Sequence, residues 1–492
     1  MHNRSDMMRQ LLELGLNYGR KHKSSQTGYL HYCYNQNEEH HLPIPTVENF
    51  LLALNLLRSR TIENITEAKV ILEGLLHFQN RNEEVVGQGN FPIYLHEYPN
   101  CKDRFIGVQV AIVIYWTLKQ FHQILGQKLK LRLEFSLLDL LKHLLSAHSE
   151  KAAHYPTAIK IAAVARMGGE LLHQNEIELE GEKLLKQLET EQNSIYWYSP
   201  ESIGDMLTGL TMVYHRLSDS PWSRFWHHLE NTWHRKTCCY IGPGIKEWQQ
   251  GQEPQVTLYD LFMSYFTGKI STRITKECPV HLEAALIPPF EDTFSEVNYP
   301  LEVSGTFDDA KWSLYHSQDI AYCVIEQKMN LPQSFEKGVY PLKFIWGDHQ
   351  HVHSFVCQGG KGKLASFLTA QNKIVLTFDL DGPVEVEDRE LGREIAFCID
   401  HSEEVKFLVS GEKSSTFTLG ENVNLQAGDT TLELIFELVD GNGRFMGHRM
   451  LGNRLSQLNS KGSHRYDAYD WLIFLRTLKR LEKCRINVTI GF

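Results

Sequence analysis

From the start of the chain to about residue 275, apolar residues recur at helical spacing. The pattern holds in Met7–Leu16, Val47–Leu57, Ala68–Phe78, Phe105–Ile124, Leu133–Leu145, Ala158–Leu172, Leu179–Leu188, Ile203–Leu217, Ser223–Trp233 and Leu258–Phe266. It predicts about ten helices in pairs, with successive pairs starting roughly 45–60 residues apart, as in an array of helical hairpins. From about residue 280 the period shortens. Ala321–Ile325, Ile374–Leu380, Val405–Val409, Thr416–Leu419, Leu432–Leu438 and Ile486–Ile490 read as strands. Turn signals separate them: Leu380-Asp-Gly-Pro, Ser410-Gly-Glu, Ala427-Gly-Asp and Asp440-Gly-Asn-Gly. Many short strands at regular spacing predict an antiparallel sandwich or jelly roll.

Several of the expected helices follow an aromatic, often proline-bearing approach. Asn90 to Pro99 leads into the helix at 105–124, Ala153-His-Tyr-Pro156 into that at 158–172, and Ile195-Tyr-Trp-Tyr-Ser-Pro200 into that at 203–217. Gln252 to Tyr259 echoes the pattern. Proline suits the first turn of a helix and disfavours helix just before it. If the hairpins form a ring or arc, these connections gather at one end. Tyr94, His96, Tyr98, His154, Tyr155, Tyr196, Trp197 and Tyr198 then line a common mouth suited to stacking on a ligand. Alternatively, the same rings plug the ends of a helical core.

The stretch from Tyr340 to Cys357 reads as one strand. Residues two apart on a strand share a face, so His349, His351 and His353 are expected to project together, with Trp346 as a neighbouring ligand-facing ring. Such imidazoles can bind a metal, zinc above all, move a proton or meet an acidic ligand. The alternative is a solvent-facing strand rich in histidine. Gly447–Gln457 and Gly462–Tyr466 read as polar loops in which Arg449, Arg454 and Arg465 can grip carboxylates, unless they are ordinary surface arginines.

Composition narrows the partners. The 492 residues are 42% hydrophobic and 22% charged, with net charge −10, so a broad nucleic-acid surface is not expected. Phosphate loops, dinucleotide fingerprints, His-Glu-x-x-His and Gly-x-Ser-x-Gly motifs are missing. The first ten residues lack the apolar region of a signal peptide, and the longest apolar run, Val108–Leu118, is too short to span a membrane. The 9 cysteines form no Cys-x-x-Cys pair. A cytoplasmic protein without membrane contact is expected, although export without a classical signal would leave no mark. Oligomeric state is not legible.

A helical-hairpin toroid followed by an antiparallel β-sandwich resembles polysaccharide lyases of the heparinase II/III and alginate lyase kind. The resemblance rests on this layout, the Asn90–Pro99 and His154-Tyr155-Pro156 loops, and the histidine strand. It implies an α/α toroid over 1–278, a β-sandwich over 279–492, an acidic carbohydrate as ligand, and β-elimination at a uronate without a required cofactor. It further implies that Asn90 or His96 neutralises the substrate carboxylate, and that Tyr155, assisted by His154, is base or acid. His351 would complete the site from the sandwich. Two alternatives are a glycoside hydrolase using Glu97, Asp103 or Glu201, and a non-catalytic glycan-binding or scaffolding protein.

Overall fold

A computed structural model of the chain describes residues 2–34, 42–245, 256–275, 278–307, 309–327, 340–357, 362–385, 393–399, 405–455 and 469–492. The chain forms two compact units. One comprises Met1–His228, Val256–Gly268 and Ile274–Phe294, the other Leu229–Gln255, Lys269–Arg273 and Ser295–Phe492. The units are therefore interleaved, not separated by a single cut after residue 278. Residues 279–294 belong with the helices, whereas 229–255 and 269–273 belong with the sheets.

The first unit contains α1 (His2–His22), α2 (Thr46–Ser59), α3 (Ile62–Leu75), α4 (Gly107–Leu125), α5 (Gln127–Glu150), α6 (Tyr155–Leu172), α7 (Asn175–Glu191), α8 (Pro200–Val213), most of α9 (Ser223–Thr232) and α10 (Leu258–Thr267). Every helical segment expected from the periodicity has its helix. Helices α2, α4, α6, α8 and α10 are buried over nearly their whole surface. By contrast, α3, α5 and α7 bury a single stripe, such as Leu129, Leu133, Leu137, Leu140 and Leu144 of α5. That difference sorts them into inner and outer members of a double-layered array. Each inner helix packs on the next, and the 3-10 turn Pro279–Leu286 joins α10 back to α2, closing the ring. Glycines permit the close crossings. A Cβ on Gly181 of α7 would lie 2.4 Å from the Arg166 backbone nitrogen of α6, and one on Gly204 of α8 would lie 2.7 Å from that of Tyr259.

The second unit is antiparallel β. Its strands are β1 (Trp233–His234), β2 (Cys239–Tyr240), β3 (Leu301–Phe307), β4 (Ala310–His316), β5 (Ile320–Ile325), β6 (Leu342–Gly347), β7 (Val352–Cys357), β8 (Lys363–Ala370), β9 (Lys373–Leu380), β10 (Val384–Glu385), β11 (Arg393–Ile399), β12 (Lys406–Val409), β13 (Thr416–Phe417), β14 (Asn422–Ala427), β15 (Thr430–Asp440), β16 (Gly443–Leu455), β17 (Tyr469–Arg480) and β18 (Cys484–Gly491). One sheet runs β13-β16-β17-β11-β7-β6-β5-β4-β3, with β10 on β17, and the other runs β12-β14-β15-β18-β9-β8. Their inner faces share one core, in which Phe344, Phe355 and Phe397 of the first sheet meet Ile374, Phe378, Phe436 and Val488 of the second. The expected sandwich is therefore present.

Two sequence expectations fail here for local reasons. Tyr340–Cys357 is a hairpin, not one strand: Asp348 Oδ1 accepts the Gln350 and His351 N–H groups at 2.8 Å, turning the chain between β6 and β7. Gly347 takes φ +97°, where any side chain would meet the His351 carbonyl. Likewise Gly447–Leu455 is part of β16, paired along β17, and not a loop. Among the described residues no helix is long and apolar enough to cross a membrane, and all nine cysteines are free thiols.

Candidate functional site

The inner helices are largely apolar through their middle turns, with polar groups towards their ends. Within their first two turns lie Glu48 of α2, Gln109 of α4, Lys160 of α6, and Glu201 and Asp205 of α8. These positions form one polar cluster. Lys160 is 6% exposed; its Nζ donates to Asp205 Oδ1 at 2.6 Å and to Gln109 Oε1 at 3.5 Å, tying three inner helices together. Glu283, on the turn that closes the ring, faces the same charges. Burial, then the Asp205, Glu48 and Glu201 carboxylates, outweigh Lys160 and push its carboxyl up to about 8. It therefore stays largely protonated near neutral pH.

A layer of hydroxyls adjoins this cluster. Tyr34 donates from its hydroxyl to Glu48 at 2.7 Å, and its own backbone N–H donates to the Tyr94 hydroxyl at 3.0 Å. The Tyr34 and Tyr94 rings are 5.7 Å apart, and His96 stacks on Tyr94 at 5.8 Å. Burial raises the pKa of both tyrosines, with the Glu48 charge adding to it; burial likewise raises Glu48. The arrangement sets neutral acids (Glu283, Tyr94) and an exposed imidazole at the end of a closed ring. Such a set can donate hydrogen bonds to an anionic ligand and move protons.

The other expected residues are distributed as follows. The Asn90 side chain is fully buried and donates to the Asp103 carbonyl at 2.9 Å. It pins its own loop and is out of reach of a substrate. The Tyr155 hydroxyl donates to the Leu188 carbonyl at 2.8 Å and accepts from the Asn193 N–H at 3.2 Å; burial pushes it up to about 12. That hydroxyl ties α6 to the end of α7, so the base assigned to it by resemblance is corrected to an anchor. Tyr155 stacks on Tyr196 at 5.4 Å, and exposed His154 meets the same ring edge-on at 4.5 Å. Trp197 is buried against Phe225, and Tyr198 packs edge-on to His228. Tyr98 packs instead on Phe78. Rings thus occupy the expected end in separate groups, some as ligand-accessible surface and others as core. Glu97 is held below its usual range: burial opposes this, but Lys102 and the Tyr94 N–H prevail. Asp103 caps the Phe105 N–H at 2.8 Å.

In the sheet unit, Trp346 is 2% exposed and donates its indole N–H to the Ala427 carbonyl at 2.8 Å, so it is core and not a sugar-facing ring. His353 is buried against it at 5.5 Å, whereas His349 and His351 sit in the β6–β7 turn. The shared strand face on which the zinc reading stood is absent, and among the described residues no group of three His, Cys, Asp or Glu is placed to hold a metal. Arg449 stacks between Trp471 and Phe407, its guanidinium carbon 4.6 and 5.1 Å from the two ring centres. The Arg454 side chain, Arg465, Gly462–Tyr466 and Gln252–Gln255 lie outside the described residues. Sequence reasoning missed Glu48, Lys160, Asp205, Glu283 and Tyr34. For Glu48, Lys160 and Asp205 the available signal was a charged residue in the first two turns of an inner helix.

No family model and no curated protein matches the sequence. Among solved structures, Paenibacillus xanthan lyase superposes with TM-score 0.53 at 10% identity, over 99% of this chain. Heparinase III superposes with TM-score 0.51 at 8% identity, over 99% of this chain and 84% of its own. The fold resembles that of heparinase-like polysaccharide lyases. The chain spans 57% of the length of the xanthan lyase chain, and at these identities the likeness is one of fold.

Proposed function

We propose that this protein is a carbohydrate-active lyase that cleaves uronate-containing oligosaccharides by β-elimination, at the Glu283–Tyr94–His96 end of the helical ring. The observation that carries this reading is the polar cluster at the inner-helix starts, where Lys160 pairs with Asp205 and Tyr34 links Glu48 to Tyr94, with Glu283 raised by burial among these charges. A protonated carboxyl donates a hydrogen bond to the substrate carboxylate, and Lys160 adds positive charge nearby. Together they stabilise the charge that builds on the uronate as C5 loses its proton. His96 takes that proton. The C5–H electron pair becomes the C4–C5 double bond as the C4–O4 bond breaks, and Tyr94, kept protonated by its raised pKa, delivers a proton to O4. All steps use side chains of the helical unit.

One observation also favours hydrolysis: a carboxyl raised to about 8 among other carboxylates is what a glycosidase acid requires. Ultraviolet absorbance separates the readings, because only elimination leaves a double bond conjugated to the uronate carboxylate. Incubation with alginate or heparan oligosaccharides is expected to raise that absorbance. His96→Ala and Tyr94→Phe should each lower the rate roughly 10²–10⁴-fold. Glu283→Gln, which keeps a neutral donor, should retain far more activity than Glu283→Ala. New reducing ends without absorbance would establish the hydrolase reading instead, and retention of sugar without turnover would establish the binding protein.

A further inference from the structure

A second recess lies on the outer face of the helical unit, between α5 and the segment that joins α3 to α4. It is a cavity of about 1250 Å³. Its wall carries Arg81, Lys102, Arg104, Lys128, Arg132 and Lys142 against two carboxylates, Asp139 and Glu150. Such a density of positive charge is unexpected in a chain of net charge −10. Lys128, Arg132, Phe135, Asp139, Lys142 and Ser146 recur at three- and four-residue steps, so they form one stripe of α5. At 1.5 Å per residue the stripe is roughly 27 Å long.

Some of the charge is already used. Arg104 donates to Glu150 at 3.0 Å, Lys102 to Glu97 at 2.9 Å, and Arg132 to the Glu73 carbonyl at 3.3 Å. Arg81, Lys128 and Lys142 are exposed and have no ion-pair partner among the described residues. Two rings stand in the same recess, with Phe135 61% and Tyr98 43% exposed. The opposite wall is held close to α5 by Gly89 at φ +85°, whose Cβ would lie 2.7 Å from the Asp139 carbonyl oxygen.

We infer that this recess is a second binding site, for a segment of acidic oligosaccharide. The choice of ligand class rests on the acidic-carbohydrate reading of the protein and on the mixture of groups in the wall. Free cations meet carboxylates or sulfates, and exposed rings stack on sugar faces. Asp139, Glu150 and the Ser146 hydroxyl accept hydrogen bonds from sugar hydroxyls, partners that a phosphodiester backbone does not offer.

The test is direct binding of a heparin octasaccharide and an alginate octasaccharide to the full chain, measured by calorimetry at low and physiological salt. The triple variant Arg81→Gln, Lys128→Gln, Lys142→Gln should weaken binding of at least one by about tenfold or more. Phe135→Ala should weaken it by a smaller factor with an unchanged salt slope. All four positions are exposed, and unfolding temperatures check that the fold survives. Binding that the triple variant leaves unchanged, no binding of either probe to the wild type, or tighter binding of a single-stranded oligonucleotide than of either sugar would each overturn the proposal. Glu283→Ala should leave this binding intact while removing turnover. A lyase reading that fails therefore leaves sugar retention dependent on Lys128 and Lys142, whereas a recess reading that fails leaves turnover untouched.

Discussion

At the scale of single residues, chemical type and chemical availability separate. Tyrosine, asparagine and tryptophan are the right kinds of group for a sugar site, and the loops that carry them were recognisable. Yet the Tyr155 hydroxyl, the Asn90 amide N–H and the Trp346 indole N–H all donate to backbone carbonyls. For Tyr155 this has a measurable consequence. Tyr155→Phe should cost about 1–2 kcal/mol of stability, because the buried Leu188 carbonyl and Asn193 N–H lose their partner. Turnover, however, should stay within about threefold of wild type once the protein is folded. Chemical denaturation and the absorbance assay, run on the same preparation, check both halves. A loss of turnover of about a hundredfold with unchanged stability would return Tyr155 to the chemistry.

Among elements, the hairpin array depends on backbones approaching closely at a few points. The α6–α7 crossing is the tightest example, since a Cβ on Gly181 would also come within 2.9 Å of the Ala162 carbonyl oxygen. Gly181→Ala should therefore destabilise by about 2–4 kcal/mol, although alanine is the better helix former. Thermal unfolding reads the loss, and a more stable variant would refute the close crossing. The β6–β7 hairpin shows the opposite kind of control. A Gly-Asp pair bends a stretch that otherwise reads as continuous strand, and the turn 348–351 between β6 and β7 separates His349 and His351 from His353. Gly447–Leu455 was misread for a related reason: its arginines and glycines resemble loop composition, but two neighbouring strands supply the ladder that makes it strand.

At the scale of the whole molecule, stability should be limited from both sides of neutral pH. His234 and His316, with ring centres 5.7 Å apart in the sheet unit, are almost fully buried. Burial lowers His234 to about 4, aided by Lys236 and opposed by Asp319 and the Ser317 and Gln318 backbone. Burial, His234 and Arg235 lower His316 to about 3. Between pH 6.5 and 4 the unfolded chain binds protons that the folded one refuses, so stability falls as pH drops through that window. His234 alone accounts for roughly 3 kcal/mol at the acid end. Glu283 acts in the other direction: its folded carboxyl keeps a proton up to about 8, so stability falls as pH rises from about 4.5 towards 8. The unfolding temperature should accordingly decline more gently on acidification in His316→Phe than in wild type. Glu283→Gln should raise it more at pH 8 than at pH 5. Parallel curves for variants and wild type would exclude either group as a source.

Hydrophobic period alone was sufficient for ten helices, for strands β5, β9, β12, β13, β15 and β18, and for the order of a helical array before a sandwich. Burial of apolar surface is the dominant local constraint on these elements and is written residue by residue. Proline-bearing aromatic approaches also marked the inner helices α4, α6 and α8, because the start of a buried helix needs a particular backbone and a packed end. Which polar groups meet was decided only in three dimensions. Glu48, Lys160, Asp205 and Glu283 are separated by up to 235 residues, and each alone resembles an ordinary helix-end charge. They become a site because ring closure brings helix starts together and withdraws Glu48 and Lys160 from water, so that the energy of each charge depends on its neighbours. Whether a hydroxyl is free for chemistry or already bonded to a carbonyl follows from the same closure, since it depends on partners that lie far away along the chain.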